Sequence, residues 1–358
     1  MANILMKGNE VVAEAAIRAG CRNYFGYPIT PQNEVAEYMS REMAKYGGDF
    51  IQAESELASI SMVYGAAAAG GRCMTSSSSI GIALMQETLG SIIMCQLPCV
   101  IINVMRGGPG IGSIQPAQAD YTQVTKGGIN GDGHVIVYAP ASIQESMDMI
   151  YNAFEVADEY RNPVTICVDG MIGQMMEPVE LPPQKEITPV DKISEKKPWA
   201  ITGTDNHEGR NVIFSLRLVP DVLESHVEHM FEKYAEAEKE LVRYSTMNLE
   251  DAEIVFVAFG TMSRLCAEAI EILEERGIKA GLIRPISLWP FPEKAFDEIG
   301  PKTKVVISTE LSMGQMIQDV KAAVSGRFPV RLINRTGGIV PSSLEIADRA
   351  IKHLEELK

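Results

Sequence analysis

The chain has 358 residues, 46% of them hydrophobic and 22% charged. That is the composition of a globular protein of about two domains, and it excludes a disordered chain, a coiled coil or a collagen-like repeat. Aspartate plus glutamate number 47 against 32 lysines plus arginines, and the resulting net charge of −15 argues against nucleic acid or an anionic membrane as the bulk partner.

Residues 11–19 read as a helix, 22–27 as a strand, and a second helix opens at Pro31. A short strand at 49–53 precedes a helix at 58–71 whose alanines, glycines and serines permit close packing. Next come a strand at 73–75, a serine turn at 76–79 and a helix at 81–93. The run CVIINVM at 99–105 is continuously apolar, as a strand covered on both faces requires, and 135–139 and 164–168 repeat the pattern. The longest stretch without a charge, residues 88–105, holds Gln96, Pro98 and Asn103 and splits into a helix end and a strand, so it is not a membrane span. The N-terminal residues carry Glu10 and Glu14 and lack a signal-peptide core, so a cytoplasmic protein is expected.

Residues 177–210 hold five prolines and little periodicity and read as a connector. Residues 215–247 read as one charged helix with a break near Pro220. Strands at 253–259, 281–283, 304–308 and 330–333, separated by helical patterns and closed by a helix at 343–357, then build a second parallel unit. The fold class is α/β with two parallel-sheet domains: residues 1–176, a connector at 177–247, and residues 248–358.

The six cysteines form no C-x-x-C pair and mostly lie in apolar runs, so buried free thiols are expected. His226 and His229 fall on the charged helix and read as a solvated face. The loop Gly107-Gly-Pro-Gly-Ile-Gly112 lacks dinucleotide spacing, and no P-loop or nucleophile elbow is present. Gly131-Asp132-Gly133 looks like the start of a magnesium–diphosphate motif, but no asparagine pair follows, and a turn before a strand is the better account.

Three segments stand out at successive strand ends. Gly26-Tyr-Pro-Ile-Thr-Pro31 leaves Thr30 at a sharp turn; the structural alternative is a helix cap with Pro31 in the first turn. Gln52-Ala-Glu-Ser-Glu56 places Glu54 and Glu56 between a strand and a helix, either as acids complementing the helix start or as a functional buried carboxylate. Arg106 leaves an apolar strand for a glycine loop, suited either to a small carboxylate ligand or to an ion pair with a nearby acid.

Together these residues carry a resemblance. MKGNEVVAEAAIRAGCRNYFGYPITP at 6–31, QAESELASISMVYGAAAAG at 52–70, MTSSSSIGIALMQE at 74–87, NVMRGGPGIGSIQPAQADY at 103–121, DGMIGQMMEPVE at 169–180 and NRTGGIVPSS at 334–343 resemble the α-type subunit of 2-oxoacid:ferredoxin oxidoreductases, most of all the branched-chain (2-oxoisovalerate) type. The resemblance implies that residues 1–176 form the pyrimidine-binding domain of a thiamine diphosphate site and that residues 248–358 form a transketolase C-terminal-like domain. It implies a β subunit carrying the diphosphate and Mg2+ half, a γ subunit and a ferredoxin-like δ subunit, [4Fe-4S] clusters on partner subunits, ferredoxin as acceptor, coenzyme A as co-substrate, and a dimer of heteromers. Glu56 matches the glutamate that binds N1′ of the aminopyrimidine, with Glu54 as its rival. Thr30 and Arg106 match the residues that bind the substrate carboxylate and oxo oxygen. Tyr27, Pro28, Ile29 and Pro31 match the plate beneath the substrate, the first three also bordering the cofactor, and Gly107 and Gly108 complete the substrate wall. A 2-oxoglutarate-specific subunit and a non-catalytic assembly subunit remain as alternatives.

Overall fold

A computed structural model describes residues 3–203 and 210–357. The first part runs β1 (Ile4–Lys7), α1 (Gly8–Arg18), β2 (Asn23–Gly26), α2 (Asn33–Glu42), β3 (Asp49–Gln52), α3 (Glu56–Ala68), β4 (Cys73–Ser77), α4 (Ile80–Met94) and β5 (Cys99–Met105). A long loop leads to β6 (Ile136–Tyr138), α5 (Ile143–Tyr160), β7 (Pro163–Asp169), α6 (Gly170–Gln174) and β8 (Met176–Val179). The rest comprises α7 (Ile193–Lys196), α8 (Pro220–Glu240), β9 (Tyr244–Met247), β10 (Ile254–Val257), α9 (Gly260–Glu275), β11 (Ala280–Pro285), β12 (Ser287–Trp289), β13 (Val305–Glu310), α10 (Ile317–Val324), β14 (Val330–Asn334) and α11 (Ser343–Glu355).

A seven-stranded sheet has the order β12-β6-β7-β5-β4-β2-β3. Every pair from β6 to β3 is parallel, so those strands share one carboxyl edge. All seven residues of β5 are buried, which is why that strand reads as an unbroken apolar run. A five-stranded sheet, β14-β13-β10-β11-β9, is parallel except for β9. Along β10 the side chains alternate. Val255 and Val257 join the core of the first sheet, while Ile254 and Phe256 join a second core under α9 and α11. Strand β12 leaves the second unit and pairs antiparallel with β6. Its Trp289 stacks on His134, with ring centroids 4.6 Å apart.

The α/β reading with two largely parallel sheets holds, with differences of detail. Ser76 and Ser77 belong to β4 and are not a turn, and Ser76 to Ser79 are all buried. The helix expected from Pro31 begins at Asn33 with Gln32 before it, so Thr30 is not its cap. The connector opens with β8, which pairs antiparallel with β1; its residues 204–209 lie outside the described residues. The charged helix is α8 alone and starts at Pro220, where a missing N–H costs nothing. All six cysteines are free and buried. His229 is exposed, but His226 is partly buried and lies 2.8 Å from the Met94 carbonyl. Among the described residues, no helix is long and apolar enough to cross a membrane.

Candidate active site

The site lies on the carboxyl edge of the seven-stranded sheet, where open parallel sheets leave ligands a crevice. Residues 27–31 follow β2, Glu56 follows β3, the serine segment ends β4, and Arg106 follows β5. Thr30, Tyr27 and Pro28 are exposed there. The turn that carries them is held from below: Asn9 Nδ2 and Gln174 Nε2 both donate to the Pro31 carbonyl at 2.7 Å.

Arg106 is buried, yet among the described residues it forms no ion pair. Its Nη1 donates to the Thr30 carbonyl at 2.8 Å and its Nη2 to the Ile111 carbonyl at 3.0 Å, while Nε is buried without a partner among the described residues. The ion-pair alternative is thus replaced by main-chain carbonyls, which orient the guanidinium without neutralising it. The loop beyond it needs its glycines. Gly112 has φ +55, and a Cβ there would sit 1.9 Å from the Gly107 carbonyl oxygen.

Glu56 opens α3, behind Ser55, whose hydroxyl accepts from Ala58 N at 3.2 Å. Glu56 is 4% exposed, whereas Glu54 is exposed. The Ser77 hydroxyl donates to Glu56 Oε1 at 3.2 Å, and Oε2 has no partner among the described residues. Space for the carboxylate exists only because residue 81 lacks a side chain: a Cβ there would lie 2.0 Å from Ser77 Oγ and 2.4 Å from Glu56 Oε1.

The serine segment joins the two charged residues. Ser77 holds Glu56, and Ser79 Oγ accepts from the Arg106 main-chain N–H at 3.0 Å. Ser79 has φ +35, a conformation that side chains rarely adopt. Its hydroxyl lies 2.6 Å from Asp120 Oδ2, and Asn103 ties both together, accepting from Ser79 N and donating to Asp120. Burial pushes the Asp120 carboxyl up, against the hydrogen bonds from Ser79 and Asn103 and the nearby Arg106 charge. Sequence reasoning missed this group; its signal was Asn103, the one polar residue in β5.

The second unit also reaches this edge. Asp169, fully buried at the end of β7, accepts from Thr261 N at 2.7 Å and Thr261 Oγ1 at 2.6 Å. Burial pushes its carboxyl up, and those bonds oppose the shift. Gly337 and Gly338 lie against Gly107. Tyr27, Leu57, Leu84, Ile111, Ile114 and Ile339, on or next to the segments that carry these groups, are exposed apolar side chains.

Residues 14–245 match the family described as pyruvate flavodoxin/ferredoxin oxidoreductase, thiamine diphosphate-binding, and residues 252–346 match pyruvate:ferredoxin oxidoreductase core domain II. The chain is 46% identical, over 94% of each sequence, to the ketoisovalerate oxidoreductase subunit VorB of Methanothermobacter marburgensis. This chain belongs to the α-type subunits of 2-oxoacid:ferredoxin oxidoreductases. It is 37% identical to the 2-oxoglutarate synthase subunit KorA of Methanocaldococcus jannaschii, over 96% of this chain and 98% of that one. Among solved structures it matches the 2-oxoglutarate:ferredoxin oxidoreductase of Magnetococcus marinus, solved with 2-oxoglutarate, coenzyme A and succinyl-CoA. There the TM-score is 0.87 at 27% identity, and the match covers 99% of this chain but 65% of that longer one. A split-gene transketolase matches at TM-score 0.60 and 14% identity, which shows the shared fold. The family's members are subunits of thiamine-dependent complexes, so this chain works with other subunits.

The residues fit the pyrimidine end of thiamine diphosphate. A buried carboxylate keeps one oxygen open, and the cradle at Gly81 would be filled by any Cβ. They do not fit the diphosphate and metal end. Gly131-Asp132-Gly133 precedes β6 and therefore lies at the amino edge of the sheet, opposite Glu56.

Proposed function

We propose that this subunit supplies the pyrimidine-binding half of the active site in a CoA-acylating enzyme for branched-chain 2-oxoacids. The reaction converts 2-oxoisovalerate (3-methyl-2-oxobutanoate) to acyl-CoA and carbon dioxide and reduces ferredoxin. The observation that carries the reading is one sheet edge holding a buried carboxylate with an open oxygen and, across the serine segment, a guanidinium that forms no ion pair among the described residues. Bound thiamine diphosphate would supply the electron sink for decarboxylation. Glu56 Oε2 would accept the hydrogen bond from ring nitrogen N1′, in a site where low water access strengthens that bond. Arg106 would hold the substrate carboxylate and Thr30 its oxo oxygen. Tyr27, Pro28 and Ile29 would support the cofactor ring, with Pro31, Gly107 and Gly108 beside the substrate.

In this reading residues 1–176 are the pyrimidine-binding domain, 177–247 the connector and 248–358 the transketolase C-terminal-like domain. A β subunit seats on the exposed apolar side chains of this edge and brings Mg2+ and the diphosphate site, γ and δ subunits complete the complex, and the partner subunits carry the [4Fe-4S] clusters. The branched-chain preference is supported by the exposed Ile111 and Ile114 on the Arg106 loop. Residues 107–118 contain no lysine or arginine, so a second carboxylate would be left unpaired.

The test uses the complex purified with its own partners, supplied anaerobically with thiamine diphosphate, Mg2+ and coenzyme A. Viologen reduction is followed with 2-oxoisovalerate, 2-oxoglutarate, pyruvate and an aryl pyruvate. A preference for 2-oxoisovalerate that is lost in Arg106→Ala supports the proposal. A preference for 2-oxoglutarate overturns the substrate assignment, and no turnover despite intact clusters overturns the catalytic one.

A further inference from the structure

We propose that Gln118 is a positioning residue through which the second sheet sets the place of the Arg106 guanidinium. The inference rests on Arg106 being the substrate cation. Gln118 has no exposed surface, and its polar groups are spent on the other unit. Its N–H donates to the Leu311 carbonyl at 2.9 Å, and its Oε1 accepts from Leu311 N at 3.2 Å. Its Nε2 donates to the Phe259 carbonyl at 2.8 Å. Leu311 follows β13 and Phe259 precedes α9, so one side chain bridges two strand ends of the second sheet. A buried amide whose oxygen and nitrogen both bond main chain is held in one placement, and leaving either unpaired is costly.

The flanking residues turn that anchor toward Arg106. On one side, Pro116 forms a bridge with Arg106, and Gln115 accepts from Gly107 N at 3.0 Å. On the other side, Asp120 holds Ser79, which holds the Arg106 N–H. Residues 115–120 are therefore a strap, fixed at its middle in the second unit and gripping Arg106 from both ends. The second unit also presses on it directly. Gly338 has φ +97, and a Cβ there would fall 2.3 Å from the Gln115 Cβ. This gives the glycine pair of the segment at 334–343 a role: it lets that loop lie flat against the strap. The second unit is thus part of the substrate-binding apparatus although none of its side chains belongs to the three strand-end segments.

The test uses the whole complex. Gln118→Met keeps the bulk and removes the amide. Gly338→Ala reaches the strap from the other unit and leaves Gln118 intact. Displacements of about 1 Å in a binding group cost up to about 100-fold, so each variant is expected to raise the KM for the 2-oxoacid about tenfold or more. Thiamine diphosphate affinity and cluster absorbance should stay at wild-type values. Combined with Arg106→Lys, the Gln118→Met effect should shrink toward nothing, because both act through one cation. An unchanged KM in both variants, full multiplicativity with Arg106→Lys, or an equal loss of thiamine diphosphate affinity would overturn the inference. An Arg106→Lys variant with wild-type KM would instead overturn the reading of Arg106, and the two failures are distinct.

Discussion

Replacing Gly81 by alanine tests the carboxylate site without touching any charged group. The added methyl would lie 2.0 Å from Ser77 Oγ and 2.4 Å from Glu56 Oε1, where ordinary contact begins at 3.4 Å. The carboxylate oxygen must therefore retreat by about 1 Å, and a misplacement of that size costs about 100-fold in rate. That corresponds to about 2.7 kcal/mol of transition-state stabilisation. Overpacking adds a fold cost of about 1–3 kcal/mol. The control is Gly65→Ala in α3, where a Cβ meets nothing within 4 Å. It should keep activity and stabilise the helix by about 0.5–1 kcal/mol. The assay is kcat/KM by viologen reduction in the reassembled complex, at saturating thiamine diphosphate, with thermal unfolding of each variant alongside. A Gly81→Ala enzyme within threefold of wild type would refute the claim that this glycine makes room for a working Glu56.

Other expectations follow the same geometry. Glu56→Gln should lower kcat/KM by about 100-fold or more, as loss of a proton-handling group does, while Glu54→Gln on the exposed neighbour should change it less than twofold. Thr261→Val leaves buried Asp169 without its hydroxyl partner and should cost about 1–3 kcal/mol in denaturant unfolding. For Glu155, burial pushes the carboxyl up, but hydrogen bonds from Arg72 and Lys185 outweigh it and hold the pKa at about 2. A lowered folded-state value means stability that is present above the unfolded pKa and lost as pH falls toward 2. Glu155→Gln should therefore flatten stability between pH 5 and 2, by less than about 1 kcal/mol because the pair is half exposed, and an unchanged acid limb would contradict the assignment.

The elements legible in the sequence were those whose pattern is set locally. CVIINVM could be bounded at both ends because burial on two faces demands an unbroken apolar run, and Arg106 stood out as the first charge after it. Strands β1, β8, β9 and β12 were not legible. Each has three or four residues and takes its structure from a partner far along the chain. Pro178 in β8 even argues against a strand, and is tolerated because β8 pairs on one side only. The same limit applies to the site. Thr30, Glu56 and Arg106 could be singled out one by one, but the link from Asn103 through Ser79 to Asp120 depends on where three separate segments meet. The ambiguity between Glu54 and Glu56 is likewise one of burial, which two residues so close in sequence do not reveal.

Strand β12 has a wider consequence. It seals the β6 side of a sheet to which it does not belong by sequence order, and about 150 residues separate it from its partner strand. The first sheet therefore cannot close until synthesis has passed residue 289, so its completion waits for the first strands of the second unit. A gene fission placed between the units would hand one half an open edge and the other a stray strand.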